Sequence, residues 1–302
     1  MTWNEKYWDI ISNLYWSPKY LGLKSISREK WKIADGLVSI PATEIRNQNG
    51  PLYSRSLKLN ELLDDLRNKE EILNHLFNIT FAIAGDAIIS RLFCQPLGID
   101  DNGPFLSLGR EIAERFGWGL NKNVTQQDGL FVTDRSAIGI ELKLDTSSSP
   151  EQLVKYAALM MLEEKRLGKQ IDLGLMFIIP EKSLSDHWGS VGLSGPKIDV
   201  DFVNQINKEK LNSTIREIFE NKKEQLTGAL ERLKLAVMTW ADFRDSIAEI
   251  QKELDCARPG DQTLHRLLSG FRTQVEAHKN TGIGPRSDRF TWTSGDVVIV
   301  KE

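Results

Sequence analysis

The chain has 302 residues, 40% of them apolar and 27% charged, and a formal net charge of −3. These values suit a folded protein of one large or two ordinary domains and exclude a disordered chain or a uniformly basic nucleic-acid coat. Nothing in the sequence approaches the roughly 20 uninterrupted apolar residues of a membrane span. The start MTWNEKYWDI lacks the basic-then-apolar run of a signal peptide, so a cytoplasmic protein with no membrane association is expected.

Residues 1–103 read as a helical N-terminal extension. Trp3, Tyr7, Trp8, Tyr15, Trp16 and Tyr20 crowd aromatic rings at helical spacings. A helix packed on the body, a protein interface and a base-stacking surface all fit them. Lys19, Lys24, Arg28, Lys30 and Lys32 gather positive charge nearby, and Lys279, Arg286 and Arg289 form a second basic group. Residues 41–56 hold Pro, Asn and Gly and predict a loop, while 57–93 return to a helical pattern that ends in the apolar segment FAIAGDAIISRLF, whose one acid is Asp86. Residues 107–116, SLGREIAERF, predict a short amphipathic helix that carries Glu111 and Glu114 and stops at Gly117.

The next stretch carries the chemistry. Leu130-Phe131-Val132 is one apolar run, and Ile138, Ile140, Leu142 and Leu144 alternate in a second, with Asp134, Arg135 and Ser136 between them. A hairpin with a two-residue loop at Asp134 and Arg135 sets Asp128 opposite Glu141, on one face of the pair. Lys143 follows two residues later and keeps to that face. Two carboxylates and an ammonium therefore converge. A hard cation such as Mg²⁺ uses one or two carboxylates and leaves positions for water and a phosphate. The lysine then sits where it can act on that water.

Asp128 with Glu141-Leu142-Lys143 resembles the signature of the PD-(D/E)XK nuclease superfamily, an acid at the start of one strand and Glu-x-Lys on the next. Gln127 stands where the family's name implies proline. Gln152 and Tyr156 are similar to the QxxxY element of RecB-like members; Ser149-Pro150-Glu151 predicts the start of their helix, and spacing of four puts both on one face. Two other Glu-x-Lys matches, at Glu163 and Glu220, fall in charged helical stretches.

The resemblance implies a restriction-endonuclease-like fold, an α/β architecture with a mixed β-sheet core flanked by helices. It also implies a metal-dependent DNA nuclease with Mg²⁺ as cofactor and Mn²⁺ as a substitute. Asp128, Glu141 and the carbonyl of Leu142 would hold the metal, and Lys143 would act on the water. An upstream helix acid completes such sites; Glu111 is favoured for it, with Glu114 and Asp86 as alternatives. Gln152, Lys155 and Tyr156 would position DNA. A motorless nuclease with helical extensions resembles bacterial restriction or anti-phage effectors, which work as homodimers or beside a separate ATPase partner. The two cysteines, Cys94 and Cys256, exclude the iron–sulfur cluster of some RecB-like members. A second reading remains open, a catalytically inactive nuclease-like fold that serves as a DNA-binding or assembly subunit.

The expected core spans 104–257. Within it, 171–180 reads as a central strand, and one long polar helix is predicted from about Asp201 to Arg232. A last strand at Leu235–Met238 then leads into a helix that starts Thr239-Trp240-Ala241-Asp242. Residues 258–302 predict a C-terminal helix and a hairpin, RFTWT and DVVIV around Ser-Gly. There is no G-x-x-x-x-G-K-[ST] phosphate loop, which removes a built-in ATP motor. His75, His187, His265 and His278 lack metal-ligand spacing and read as surface or supporting residues.

Overall fold

The computed structural model describes residues 32–34, 37–40, 55–58, 67–68, 70–108, 128–144, 148–198, 202–283, 289–293 and 296–300. Among them, β1 (Lys32–Ala34), β2 (Leu37–Ile40) and β3 (Arg55–Lys58) form a three-stranded antiparallel sheet. Strands β4 (Leu106–Ser107), β5 (Gly129–Val132), β6 (Ser136–Leu142), β7 (Asp172–Ile179) and β8 (Lys234–Thr239) form a five-stranded sheet in that spatial order. The last two, β9 (Arg289–Thr293) and β10 (Asp296–Val300), pair as the expected terminal hairpin. The chain divides into two units: residues 77–254 with 280–283, which hold the five-stranded sheet, and residues 1–76, 255–279 and 284–302.

The sheet is mixed. β5 runs antiparallel to both of its neighbours, β4 and β6, whereas β6, β7 and β8 are parallel. Parallel neighbours need a crossover, and α3 (Pro150–Leu167) supplies the first. Before it come α1 (Glu70–Ile83) and the one-turn α2 (Asp86–Ile89). α3 starts on a capping box of Ser149 and Gln152 with Pro150 in its first turn, and ends at Gly168 in the left-handed region, φ 69°. The second crossover contains α4 (His187–Ser190), α5 (Phe202–Gln205), α6 (Ser213–Asn221) and α7 (Lys223–Arg232). After β8 come α8 (Trp240–Glu253) and α9 (Pro259–Ala277).

Both faces of the sheet are covered, which is why every residue of β5 and β6 is buried. On one face Leu130, Val132, Leu175 and Phe177 join a core with Leu153, Tyr156 and Ala157 of α3 and Phe219 and Leu226 of α6 and α7. On the other, Phe77 and Phe81 of α1, Phe93, Phe131 and Phe243 pack ring to ring, with centroids 4.7 to 6.4 Å apart. The α/β class and the mixed, helix-flanked sheet agree with the sequence.

Several boundaries differ. The N-terminal extension is not wholly helical, since it contributes β1–β3, and β3 occupies part of the expected 57–93 helix. Residues 77–103 belong with the sheet rather than with the extension, because the phenylalanines of α1 and its sequel cover one face. Ser107, expected in a helix, closes β4 against Phe131. The long 201–232 helix is broken: Asn207 and Asn212 accept the N–H groups of Glu209 and Ile215 and start new turns, and Lys222 at φ −136° separates α6 from α7. Glu111, Glu114, the aromatic cluster at Trp3–Tyr20 and the basic positions Lys19, Lys24, Arg28, Lys30 and Arg286 lie outside the described residues.

Candidate functional site

The β5–β6 turn sets the register of the site. Thr133 N–H donates to the Ser136 carbonyl at 2.9 Å, which leaves Asp134 and Arg135 as the loop. Gly129 then faces Ile140 and Leu130 faces Gly139, so the ladder continued by one residue sets Asp128 across from Glu141. A buried carboxylate fastens the turn: Asp101 Oδ2 accepts from Thr133 Oγ1 at 2.5 Å and Ser136 Oγ at 2.6 Å, and Oδ1 accepts from Arg135 at 2.6 Å. Burial opposes ionisation of Asp101. Hydrogen bonds from Ser136, Thr133 and the Gly103 N–H, with the charge of Arg135, outweigh it and hold the carboxyl below its ordinary value.

Asp128 is half-buried at the entry to β5. Its Oδ2 accepts the N–H of Leu142 at 2.7 Å, a donor that β5 starts too late to satisfy, and its carbonyl accepts from Asn78. Glu141, only 5% exposed, lies near the end of β6. Its Oε1 takes the Lys143 ammonium at 2.7 Å and the Gln152 amide; its Oε2 lies 2.8 Å from the Tyr156 hydroxyl. That hydroxyl is also 2.7 Å from the Ile140 carbonyl, and its single proton serves the two acceptors. Burial first, then the negative charges of Glu141 and Asp128, push the Tyr156 pKa well above its usual 10, so it stays a donor.

Local sequence explains the reach of α3. Gln152 is fixed by its own helix cap, where its Oε1 accepts the Ser149 N–H at 3.0 Å, and this leaves its amide N–H for Glu141. Tyr156 is one turn on, and its ring packs against Gly139. A Cβ at Gly139 would stand 2.5 Å from that ring, so no larger residue fits beneath it. Lys143 is 8% exposed, and its backbone is held from both sides: its N–H donates to the Ile178 carbonyl at 2.8 Å, and its carbonyl accepts from Trp240 Nε1 at 2.7 Å.

Asp128, Glu141, Lys143, Gln152 and Tyr156 are therefore brought together, and Lys155 is half-buried on α3 beside Tyr156. Gln152 and Tyr156 hold Glu141 directly, and the Tyr156 ring is core rather than surface. Asp86 is not part of this network; it accepts the Phe105 N–H at 2.7 Å and fastens a loop. Both other Glu-x-Lys matches sit on helices, at α3 and α6. Trp240, Asp101 and His187 were not picked out as site residues. For Trp240 a signal existed, a Thr-Trp-Ala-Asp helix start directly after a strand; for His187 there was none.

The donor set suits a hard divalent cation. Asp128 and Glu141 face each other across the hairpin, and Glu141 Oε2 has acceptor capacity beyond the single Tyr156 bond. Among the described residues no group of three or more His, Cys, Asp or Glu is gathered for a metal. No helix of the described residues is long and apolar enough to cross a membrane. Comparison with known proteins gives no matching family model, no matching curated protein and no matching solved structure.

Proposed function

We propose that this chain is a metal-dependent nuclease that hydrolyses DNA phosphodiester bonds, with the restriction-endonuclease-like fold and PD-(D/E)XK chemistry that its sequence resembles. The observation that carries the reading is Glu141, a carboxylate shared by Lys143, Gln152 and Tyr156 and set across the hairpin from Asp128. Asp128 and Glu141, with the Leu142 carbonyl and Glu111, would hold Mg²⁺ or Mn²⁺. The bound ion would supply charge neutralisation at the phosphate and an acidified water.

The chain's own groups do the rest. Gln152 and Tyr156 fix the orientation of Glu141, so its position costs no reorganisation during the reaction. The Lys143 ammonium, on a backbone pinned by Ile178 and Trp240, holds the attacking water as its oxygen adds to phosphorus and an ester oxygen leaves. Lys155, one residue before Tyr156, neutralises a DNA phosphate. The reading places the protein in the cytoplasm, as a restriction or anti-phage effector acting as a homodimer or with a separate ATPase partner.

One observation favours the alternative, a catalytically inactive subunit for DNA binding or assembly. The Glu141–Lys143 pair is buried and satisfied by its neighbours, as a purely structural polar network would be. The deciding experiment incubates purified protein with plasmid, with linear single- and double-stranded DNA and with RNA, in Mg²⁺, Mn²⁺ or EDTA. DNA cleavage that EDTA abolishes supports the nuclease. DNA binding without cleavage under every condition selects the inactive subunit.

A further inference from the structure

His187 lies on α4, in the crossover between β7 and β8, outside every motif of the sequence reading. It is 3% exposed, and its ring centroid stands 4.5 Å from that of Phe177. Phe177 is the parallel-strand neighbour of Glu141, so the imidazole is stationed over the strand position next to the acid. Its Nε2 is buried and has no hydrogen-bond partner. Such atoms are uncommon in folded proteins and call for an explanation. Burial first, and then the charge of Lys143, push the His187 pKa down to about 4. The ring is thus neutral at physiological pH, with one nitrogen available as an acceptor.

A second observation concerns the donors nearby. Glu141 Oε1 carries two donors, the Gln152 amide and the Lys143 ammonium. Gln152 is tied to its helix cap, so the ammonium is the donor able to leave when Oε1 of the fixed carboxylate takes a cation in its place. A buried ammonium that leaves a carboxylate must find another acceptor. We propose that His187 is a positioning residue, whose imidazole nitrogen accepts a hydrogen bond from the Lys143 ammonium released by Glu141 and keeps that ammonium beside the attacking water. The inference rests on the nuclease reading and adds a residue that the family resemblance does not supply.

The test compares His187→Phe, which keeps a ring against Phe177 and deletes the acceptor, with His187→Gln, which returns an amide oxygen near the same place. Thermal unfolding, kcat and KM for Mg²⁺-dependent DNA cleavage are measured on both and on the parent. The expected result for His187→Phe is a melting temperature equal to or above the parent's, a kcat lower by roughly 10- to 100-fold, as when a group supporting a metal site is removed, and an unchanged KM. His187→Gln should recover part of kcat. Parent-like turnover in His187→Phe, or a loss of rate matched by a loss of stability with no recovery in His187→Gln, overturns the inference and leaves the nuclease reading standing. A parent that cleaves no DNA overturns the nuclease reading, and this inference with it.

Discussion

Trp240 and Lys143, 97 residues apart, are joined by one hydrogen bond of 2.7 Å from the indole Nε1 to the lysine carbonyl. Trp240 is fully buried at the first position of α8, where Thr239 and Asp242 form a capping box. The last helix of the sheet-bearing unit thereby fixes the backbone at the end of β6, and the Lys143 side chain is the part left to move.

Glu141 is buried, which changes what its removal should do. Glu141→Ala strips the Lys143 ammonium of its counter-charge in a buried site, at a cost on the order of 3–5 kcal/mol. Glu141→Gln keeps the shape and removes the charge. Both variants should lose Mg²⁺-dependent cleavage, but only the alanine variant should show a large drop in stability to denaturant. Asp128→Ala, at a half-buried site, should lose cleavage and about 1.5–3 kcal/mol for its bond to the Leu142 N–H. Cleavage retained in Glu141→Gln would remove that residue from the chemistry.

Lys143→Ala should lower kcat and leave the dissociation constant for DNA nearly as it was, the pattern of a group that acts on the transition state. Binding is measured in EDTA and turnover in Mg²⁺. Weaker binding with unchanged turnover would recast Lys143 as a phosphate contact.

Tyr156 combines two contributions that a pair of variants separates. Tyr156→Phe keeps the ring over Gly139 and deletes the hydroxyl on Glu141, for about 1.5–3 kcal/mol as a bond to a charged acceptor. Tyr156→Ala also removes a buried ring, for about 3–5 kcal/mol. On the nuclease reading both lose cleavage, and Tyr156→Phe loses more rate than its stability change accounts for at a temperature where it is fully folded. Full activity in Tyr156→Phe would mean that the hydroxyl is structural alone.

Asp101 predicts a pH dependence of stability. Its folded-state pKa is depressed, so its contribution is present above the unfolded value and is lost as pH falls through the folded one. Asp101→Asn should be less stable than the parent at neutral pH, and the gap should close in acid below that lowered pKa. Denaturant unfolding of both proteins across the acid range measures it. A gap that stays constant in acid would show that the charge of Asp101 does not hold the turn.

The hairpin, its register and the α3 start were legible because local rules specify them. A period of two, a polar two-residue break between Thr133 and Ser136, and a Ser-Pro-Glu-Gln cap need no distant partner. They were enough to put Asp128, Glu141 and Lys143 on one face and to align Gln152 with Tyr156. The break-up of the 201–232 helix was legible only in part, since Asn207 and Asn212 are turn signals that an otherwise unbroken run of helix-forming residues masks.

Sequence by itself determined which side chains share a strand face or a helix face, because those periodicities are fixed by backbone geometry. Tertiary structure decided how deeply they lie and what else meets them. Burial of Glu141 and Lys143, the indole of Trp240 on the lysine carbonyl, the imidazole of His187 on Phe177, and Asp101 under the β5–β6 turn all join residues far apart in the chain. Such contacts arise from helices packing onto a sheet, and no local pattern encodes which residue of one element will meet which residue of another.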